Sequence, residues 1–415
     1  MKCIKFQKFT YQYFLFLCFF VISFIRRRLT EPLFENKNKK PQFFLLMYFA
    51  ILSNFIAIIP FLISKYLSKR RNKNQENEKP INIIEKKIDY LHNEETYTSK
   101  TLFKYTTIVS IFDFAGEASI FLFYFFNDKR SVISLYSLKT YLILNTVSVY
   151  VASYIVLKTY FYKHHWLSMI INIFCVLSSL TIDIIFIVQK KIVDYQYYIF
   201  VIIRIVRIII LCFGDVYSKK ALYSEFLSPY SLIFYKAIFE TIFLAIFSIP
   251  FIFIKITEDN IDNASIFVGF KEYFIGKKLL YSILLFFSDF FHELCFTIII
   301  DKFSPNHLPL AYILDAFGQN LIDIIQFIIE HRNIDWTYYT MFFIYTILFI
   351  AAMIHNEIFI INKWGLSWKT KLFLNLQLIE EEINQYLIPR DENEDDDDEN
   401  ENIEIEGHLM EEKIE

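Results

Sequence analysis

Ten long apolar runs divide this chain of 415 residues, and they limit its fold more than any other feature. A helix rises about 1.5 Å per residue, so about 20 apolar residues span the hydrocarbon core of a bilayer. The runs fall at 9–25, 42–67, 104–126, 132–158, 165–188, 198–222, 229–255, 277–301, 305–329 and 338–361. They are too long for core strands. With 55% hydrophobic residues and 48 phenylalanines, the chain carries more apolar surface than a soluble core could hide. The expected fold is all-α: a polytopic membrane protein of about ten transmembrane helices, with the lipid bilayer as its first partner.

The connections organise the rest. Residues 1–67 hold two helices and their loop, and 68–101 form a polar cytoplasmic loop in which Ile81, Ile84, Ile88 and Leu91 recur at helical spacing. Helices three to five occupy 102–188 and helices six to ten 198–361. Pro60 is expected to kink the second run, and the connection through Glu258, Asp259 and Asp262 to be loosely structured. Arg26, Arg27 and Arg28 close the first run and read as loop charges beyond it. An even number of passes puts both termini on one side. The excess of lysine and arginine in loops on that side, Lys65 to Lys73, Lys158, Lys163, Lys219 and Lys220 among them, favours cytoplasmic termini. Residues 362–380 mix tryptophans with lysines, as an interfacial helix does. From 389 to 415 the chain is an acidic tail, including Asp395 to Asp398, that cannot bury a core and is expected to be disordered.

Within the apolar runs one motif occurs twice. Asp113-Phe114-Ala115-Gly116-Glu117 lies in the third run and Asp289-Phe290-Phe291-His292-Glu293 in the eighth. The matched positions divide the ten runs into two sets of five. An odd number per set makes the second enter the membrane in the opposite sense, which is an inverted repeat of the kind secondary transporters use. A carboxylate at the bilayer centre costs about 2.5–3.5 kcal/mol, so such residues normally face a protein interior or a watery cavity. At i, i+4 spacing each Asp shares a helix face with its Glu, near mid-membrane. Paired carboxylates also suit protons as a coupling ion. The bland alternative is that they hold helices in register.

Other charges follow the same logic. Asp315, Gln319 and Asp323 form a polar stripe on the ninth run. Lys236 and Glu240 sit at i, i+4, a spacing at which they neutralise one another. Arg204 and Arg207 lie near a helix end, where snorkelling to the interface is the competing reading; in the functional one, Arg207 or Lys236 meets an anionic solute or balances the acidic pairs. His292, between Asp289 and Glu293, is a candidate proton relay. The candidate solute-binding residues are thus Asp113, Glu117, Arg207, Lys236, Glu240, Asp289, His292, Glu293 and Asp315. His164-His165 reads as an interface pair at a helix start. The five cysteines, Cys3, Cys18, Cys175, Cys212 and Cys295, have no metal or disulfide spacing and read as small buried hydrophobes. No phosphate loop, metalloprotease helix or nucleophile elbow is present in the sequence, so neither an enzyme nor a cofactor or metal is expected. Nor does any basic, aromatic-interleaved region point to nucleic acid.

The order of several short elements resembles the drug/metabolite transporter superfamily, and within it solute carrier family 35, particularly its F-type, nucleotide-sugar-transporter-like branch. Phe112-Asp113-Phe114-Ala115-Gly116 stands where that branch has Cys-Asp-x-x-Gly. Leu157-Lys158 and Trp166-Leu167-Ser168 stand at its fourth-to-fifth junction, Ser218-Lys219-Lys220, Ser228-Pro229 and Ser304-Pro305 at later ones, and Phe239-Glu240 where its seventh span carries Glu-Gly. The likeness runs from about Leu102 to Ile361. Ser168 and Thr241 replace expected glycines, a departure that bears on close helix approach. The resemblance implies alternating-access transport of a small polar or anionic solute, of nucleotide-sugar or related type, in a Golgi, vesicular or lysosomal membrane. The rival reading is a non-transporting scaffold or trafficking protein that keeps the fold and docks through its acidic tail.

Overall fold

The computed structural model describes residues 4–6, 12–33, 39–75, 99–126, 135–190, 195–224, 227–253, 255–258, 261–265, 273–303, 305–331 and 336–361. All belong to one compact unit, Met1–Leu366. The expected amphipathic turns at 81–91, the interfacial segment at 362–380 and the acidic tail at 389–415 lie outside the described residues.

The described residues are overwhelmingly helical. Helix α1 is Gln12–Leu33, and α2 (Lys39–Ser53) and α3 (Ile58–Gln75) are joined by a 3-10 turn at Asn54–Ala57. Then come α4 (Ser99–Phe126), α5 (Leu135–Leu157), α6 (Lys163–Lys190), α7 (Tyr195–Ser224), α8 (Pro229–Phe253), α9 (Gly276–Lys302), α10 (Leu308–Ile329) and α11 (Trp336–His355). Among the described residues six segments are long and apolar enough to cross a membrane: Phe44–Leu67, Lys163–Ile182, Pro229–Phe251, Gly276–Lys302, Pro305–Ile329 and Trp336–His355. That content is the mark of an integral membrane protein. Charged residues interrupt α1, α4 and α7, and within α5 the described apolar stretch is Leu144–Leu157.

Several boundaries depart from the sequence reading for physical reasons. Nothing between Ile25 and Pro32 breaks a helix, so α1 runs past Arg26, Arg27 and Arg28 to Leu33. The three arginines are helical residues, not loop charges. Pro60 cannot donate to the carbonyl four residues earlier. The ladder accordingly tightens into the 3-10 turn just before it, and the α-helix resumes at Ile58. The connection after α8, expected to be loose, contains an antiparallel pair, β2 (Lys255–Glu258) with β3 (Ile261–Ser265), Ile256 opposite Ala264. The last helix stops at His355 rather than 361, and the chain turns into a strand, β4 (Phe359–Ile361). β4 pairs antiparallel with β1 (Ile4–Phe6), Lys5 opposite Ile360. The residues of β1 and the segment after α11 therefore meet in one strand pair of the helical unit.

The most extensive helix contacts are α4 with α7 and α1 with α9, followed by α5 with α7 and α6 with α11. Glycines make the first of these close: a methyl at Gly214 of α7 would sit 2.7 Å from Asp113 Oδ1, and one at Gly116 of α4 would strike Leu211. The largest core cluster gathers Phe16 and Phe19 of α1 with Ala221 and Leu222 of α7, Ile299 and Ile300 of α9 and Leu308 of α10. Ile358, just before β4, belongs to the same cluster.

A charged cavity as the candidate functional site

The polar residues converge because each lies on the inward stripe of its own helix. On α4, Asp113 and Glu117 are one turn apart, and on α9 Asp289, His292 and Glu293 share a face. On α7, Arg204, Arg207, Leu211 and Asp215 follow i+3 and i+4 steps. Lys236 and Glu240 do the same on α8, and Tyr312 and Asp315 on α10. All of these line one cavity of 430 Å³, together with Arg26 and Arg27 of α1 and Asn145 of α5. A smaller void of 340 Å³ shares Arg26, Arg27, Glu117, Arg204, His292 and Asp315 with it. That void continues to Thr30, Leu46 and Phe121.

Ion pairs cross the cavity between helices. Lys236 Nζ lies 2.5 Å from Asp113 Oδ2 and 2.5 Å from Glu293 Oε1. Its spacing partner Glu240 is farther off, at 3.8 Å. The expected neutralisation within α8 is therefore secondary, and the lysine chiefly bridges the two repeated motifs. Arg207 does not snorkel to the interface: its Nη2 donates to Glu117 Oε1 at 2.6 Å and its Nε to the carbonyl of Gly116 at 3.1 Å. Asp289 accepts from Arg26 Nε. Arg27 Nη2 stands 3.5 Å from Asp315 Oδ2, while Gln319 donates to Asp315 Oδ1 at 2.8 Å. Every candidate solute-binding residue named from the sequence thus reaches the cavity wall.

His292 reaches the wall without joining the ion-pair network. Its ring lies 4.7 Å from that of Phe19, and the carboxylates beside it are bound by Arg26 and Lys236. Asn320, just beside the polar stripe of α10, donates to the carbonyl of Tyr338 at 3.0 Å. Asn145 accepts from Cys212 Sγ at 2.8 Å. Cys18, Cys175, Cys212 and Cys295 are all free thiols.

The candidate list drawn from the sequence lacks four charged members of the site: Arg26, Arg27, Arg204 and Asp215. Arg26 and Arg27 were assigned to a loop; the signal was the unbroken helical stretch that follows them. Asp215, buried at 6% exposure, lies two i+4 steps beyond Arg207, which marks it as an inward residue of α7. In all, five cationic and seven acidic side chains line the cavity. Such a surface can hold water and a polar solute, and it can exchange protons or ions as internal pairs open and close.

Comparison with protein-family models and with curated proteins returned no match.

Proposed function

We propose that the protein is a multi-pass membrane carrier that moves a small polar solute by alternating access, built like members of the drug/metabolite transporter superfamily. The observation that carries this reading is the 430 Å³ cavity, walled by ion pairs yet enclosed by apolar helices. Isolated ion pairs serving only to hold helices in register have no need of a shared void. Its one-sided extension is the second support. The void continues toward Thr30, Leu46 and Phe121, while Leu222, Ile300 and Leu308 lie in the largest buried apolar cluster. An alternating-access protein caught in one state is expected to have this asymmetry.

In this reading ten helical passes, α2 and α3 counted as one, form two inverted repeats of five. The pairing of α4 with α7 matches that of α1 with α9: each joins the third pass of one half to the first pass of the other. The arginine pairs repeat the pattern, Arg207 on α7 reaching Glu117 of α4 and Arg26 on α1 reaching Asp289 of α9. An anionic or zwitterionic solute, of nucleotide-sugar type in the family the sequence resembles, would take Arg207, Lys236 or Arg26 from its carboxylate. The freed carboxylate then accepts a proton, which ties solute movement to protons.

The test is counterflow uptake in proteoliposomes with a panel of nucleotide sugars, nucleotides and small metabolites. Wild type is compared with Asp113→Asn and Glu293→Gln. Saturable exchange of one solute class, lost in both variants, supports the carrier and its site. A folded protein that exchanges nothing across the panel favours the rival scaffold reading, in which the same ion pairs only fix the helices.

A further inference from the structure

The second cluster of chemistry lies far from the cavity, at the face that carries β1 and β4. His164 and His165 occupy the first turn of α6, and Glu357 follows the end of α11. The sequence marks the two histidines as an interface pair, yet His164 is 3% exposed and Glu357 9%. His164 Nε2 lies 3.0 Å from His165 Nε2 and 3.3 Å from Glu357 Oε1. One ligand atom from each of the three residues falls within 4.8 Å of the others. Bonds of about 2.0–2.1 Å from a tetrahedral zinc ion place neighbouring ligand atoms about 3.3 Å apart. The 3.0 Å and 3.3 Å separations each match an edge of such a tetrahedron.

Two further observations point to a missing cation. The first is hydrogen count. The main-chain N–H of Tyr162 donates to His165 Nδ1 at 3.0 Å, which leaves the ring proton of His165 on Nε2, facing His164. His164 Nε2 must then accept, so its lone pair also faces the Glu357 carboxylate. A second proton on His164 would instead collide with that of His165. A divalent cation among the three atoms removes the conflict: the His165 proton moves to Nδ1 and the Tyr162 contact is given up. In addition, His164 Nδ1 and both ring nitrogens of His355 are buried without a hydrogen-bond partner among the described residues. His355 is 2% exposed, stacks on Tyr150 at 3.6 Å, and has its ring 4.6 Å from that of His165.

The second observation is backbone strain. Glu357 adopts φ +58, the left-handed region. It closes α11 with Glu357 N–H bonding to the Ile354 carbonyl and Ile358 N–H to that of Met353. Glycine is the usual residue at that position of such a helix end. A glutamate there costs about 1–2 kcal/mol of strain, and it aims a carboxylate back at the start of α6.

We propose that His164, His165 and Glu357, with His355 within reach as a fourth ligand, bind a structural divalent transition-metal cation, zinc by preference, that clasps α6 to the end of α11. Two imidazoles and one carboxylate suit zinc better than magnesium or calcium, which take oxygen. The clasp does not depend on the transport reading, since none of its residues lines the cavity.

The test uses the full chain purified in detergent without a histidine tag. The expected result is about one zinc per chain by elemental analysis, a melting temperature that falls on chelation and recovers with Zn²⁺, and a tetrahedral visible spectrum with Co²⁺. His164→Ala removes a ligand and is expected to abolish all three. Glu357→Gly also removes a ligand but relieves the strain, so it folds at least as well as chelated wild type while losing its response to zinc. A wild type that retains under about a tenth of an equivalent and does not shift with Zn²⁺ overturns the proposal. So does a Glu357→Gly protein whose stability still depends on zinc. Either result leaves Glu357 as an anion at the positive start of α6.

Discussion

The two copies of Asp-Phe-x-x-Glu are alike in sequence and unlike in what they bind. In the first, Asp113 takes the shared Lys236 and Glu117 takes Arg207; in the second, Asp289 takes Arg26 and Glu293 takes Lys236. The roles of Asp and Glu are therefore exchanged with respect to the lysine. Their surroundings differ as well. The Asp289 side chain is 4% exposed, while that of Glu117 is 40% exposed and faces the open void. A duplicated motif has become one dry anchor, one wet contact and one bridge between them. The lesson is that the single lysine breaks the symmetry: α8 supplies it to both motifs.

That comparison breaks most directly at Lys236, where the largest effect is expected. Lys236→Met leaves Asp113, Glu240 and Glu293 without their common cation in a buried site. Removing one partner of a buried pair costs about 3–5 kcal/mol. Thermal unfolding in detergent should show a large loss, and the triple variant with Asp113→Asn and Glu293→Gln should restore much of it. Failure of the neutralised background to rescue would mean that the lysine does not serve as the bridge.

Arg26 gives the next effect. Arg26→Ala strands the dry Asp289, whereas Arg207→Ala exposes only the wet Glu117. The first should cost on the order of 2 kcal/mol, reduced because Arg26 itself is 39% exposed, and the second about 1 kcal/mol or less. Equal losses in a paired unfolding measurement would erase the distinction between a dry and a wet copy.

How far the sequence reveals this difference can be argued from the same residues. The helices were legible because their apolar runs match the length of a bilayer span, and the acidic pairs because carboxylates rarely occur inside such runs. The partners were harder to see. Arg26 follows an apolar run, and a hydropathy reading ends the helix where the run ends; hydrogen bonding carries it on to Leu33. Lys236 was legible both as a neighbour of Glu240 by spacing and as a partner of the acidic pairs, and the packing of α4 and α9 against α8 shows that the second role is the stronger. The strand pair β1–β4 was beyond reach, because two segments of three residues more than 350 positions apart carry no periodicity that joins them.

Helix spacing sharpens the comparison from another side. A Gly214→Ala methyl would lie 2.7 Å from Asp113 Oδ1 and 3.2 Å from Phe112 Cβ. Overpacking of this kind costs about 1–2 kcal/mol, and it acts on the first motif alone. Asp113 should be pushed off Lys236 while Glu293 keeps it. Unfolding should therefore show a modest loss, smaller in an Asp113→Asn background where the displaced group is uncharged. An equal loss in both backgrounds would assign the effect to α4–α7 packing rather than to the bridge.

The smallest stability effect and the most informative functional one belong to Glu117. Its pair with Arg207 is partly solvated, and pairs in that setting contribute about 0–1 kcal/mol, so Glu117→Gln should barely move the unfolding temperature. Its equivalent in the second motif, Glu293, holds the buried lysine, and Glu293→Gln should be clearly destabilising. Transport should rank the two in another order. Glu117 borders both voids, where the carrier reading has solute and protons arrive. Glu117→Gln should keep counterflow exchange but weaken uptake driven by an imposed pH gradient, because the wet carboxylate no longer accepts a proton when Arg207 turns to the solute. Glu293→Gln should lose both. If Glu117→Gln leaves gradient-driven uptake intact, the exposed copy carries no coupling proton, and that role passes to the drier carboxylates around Lys236.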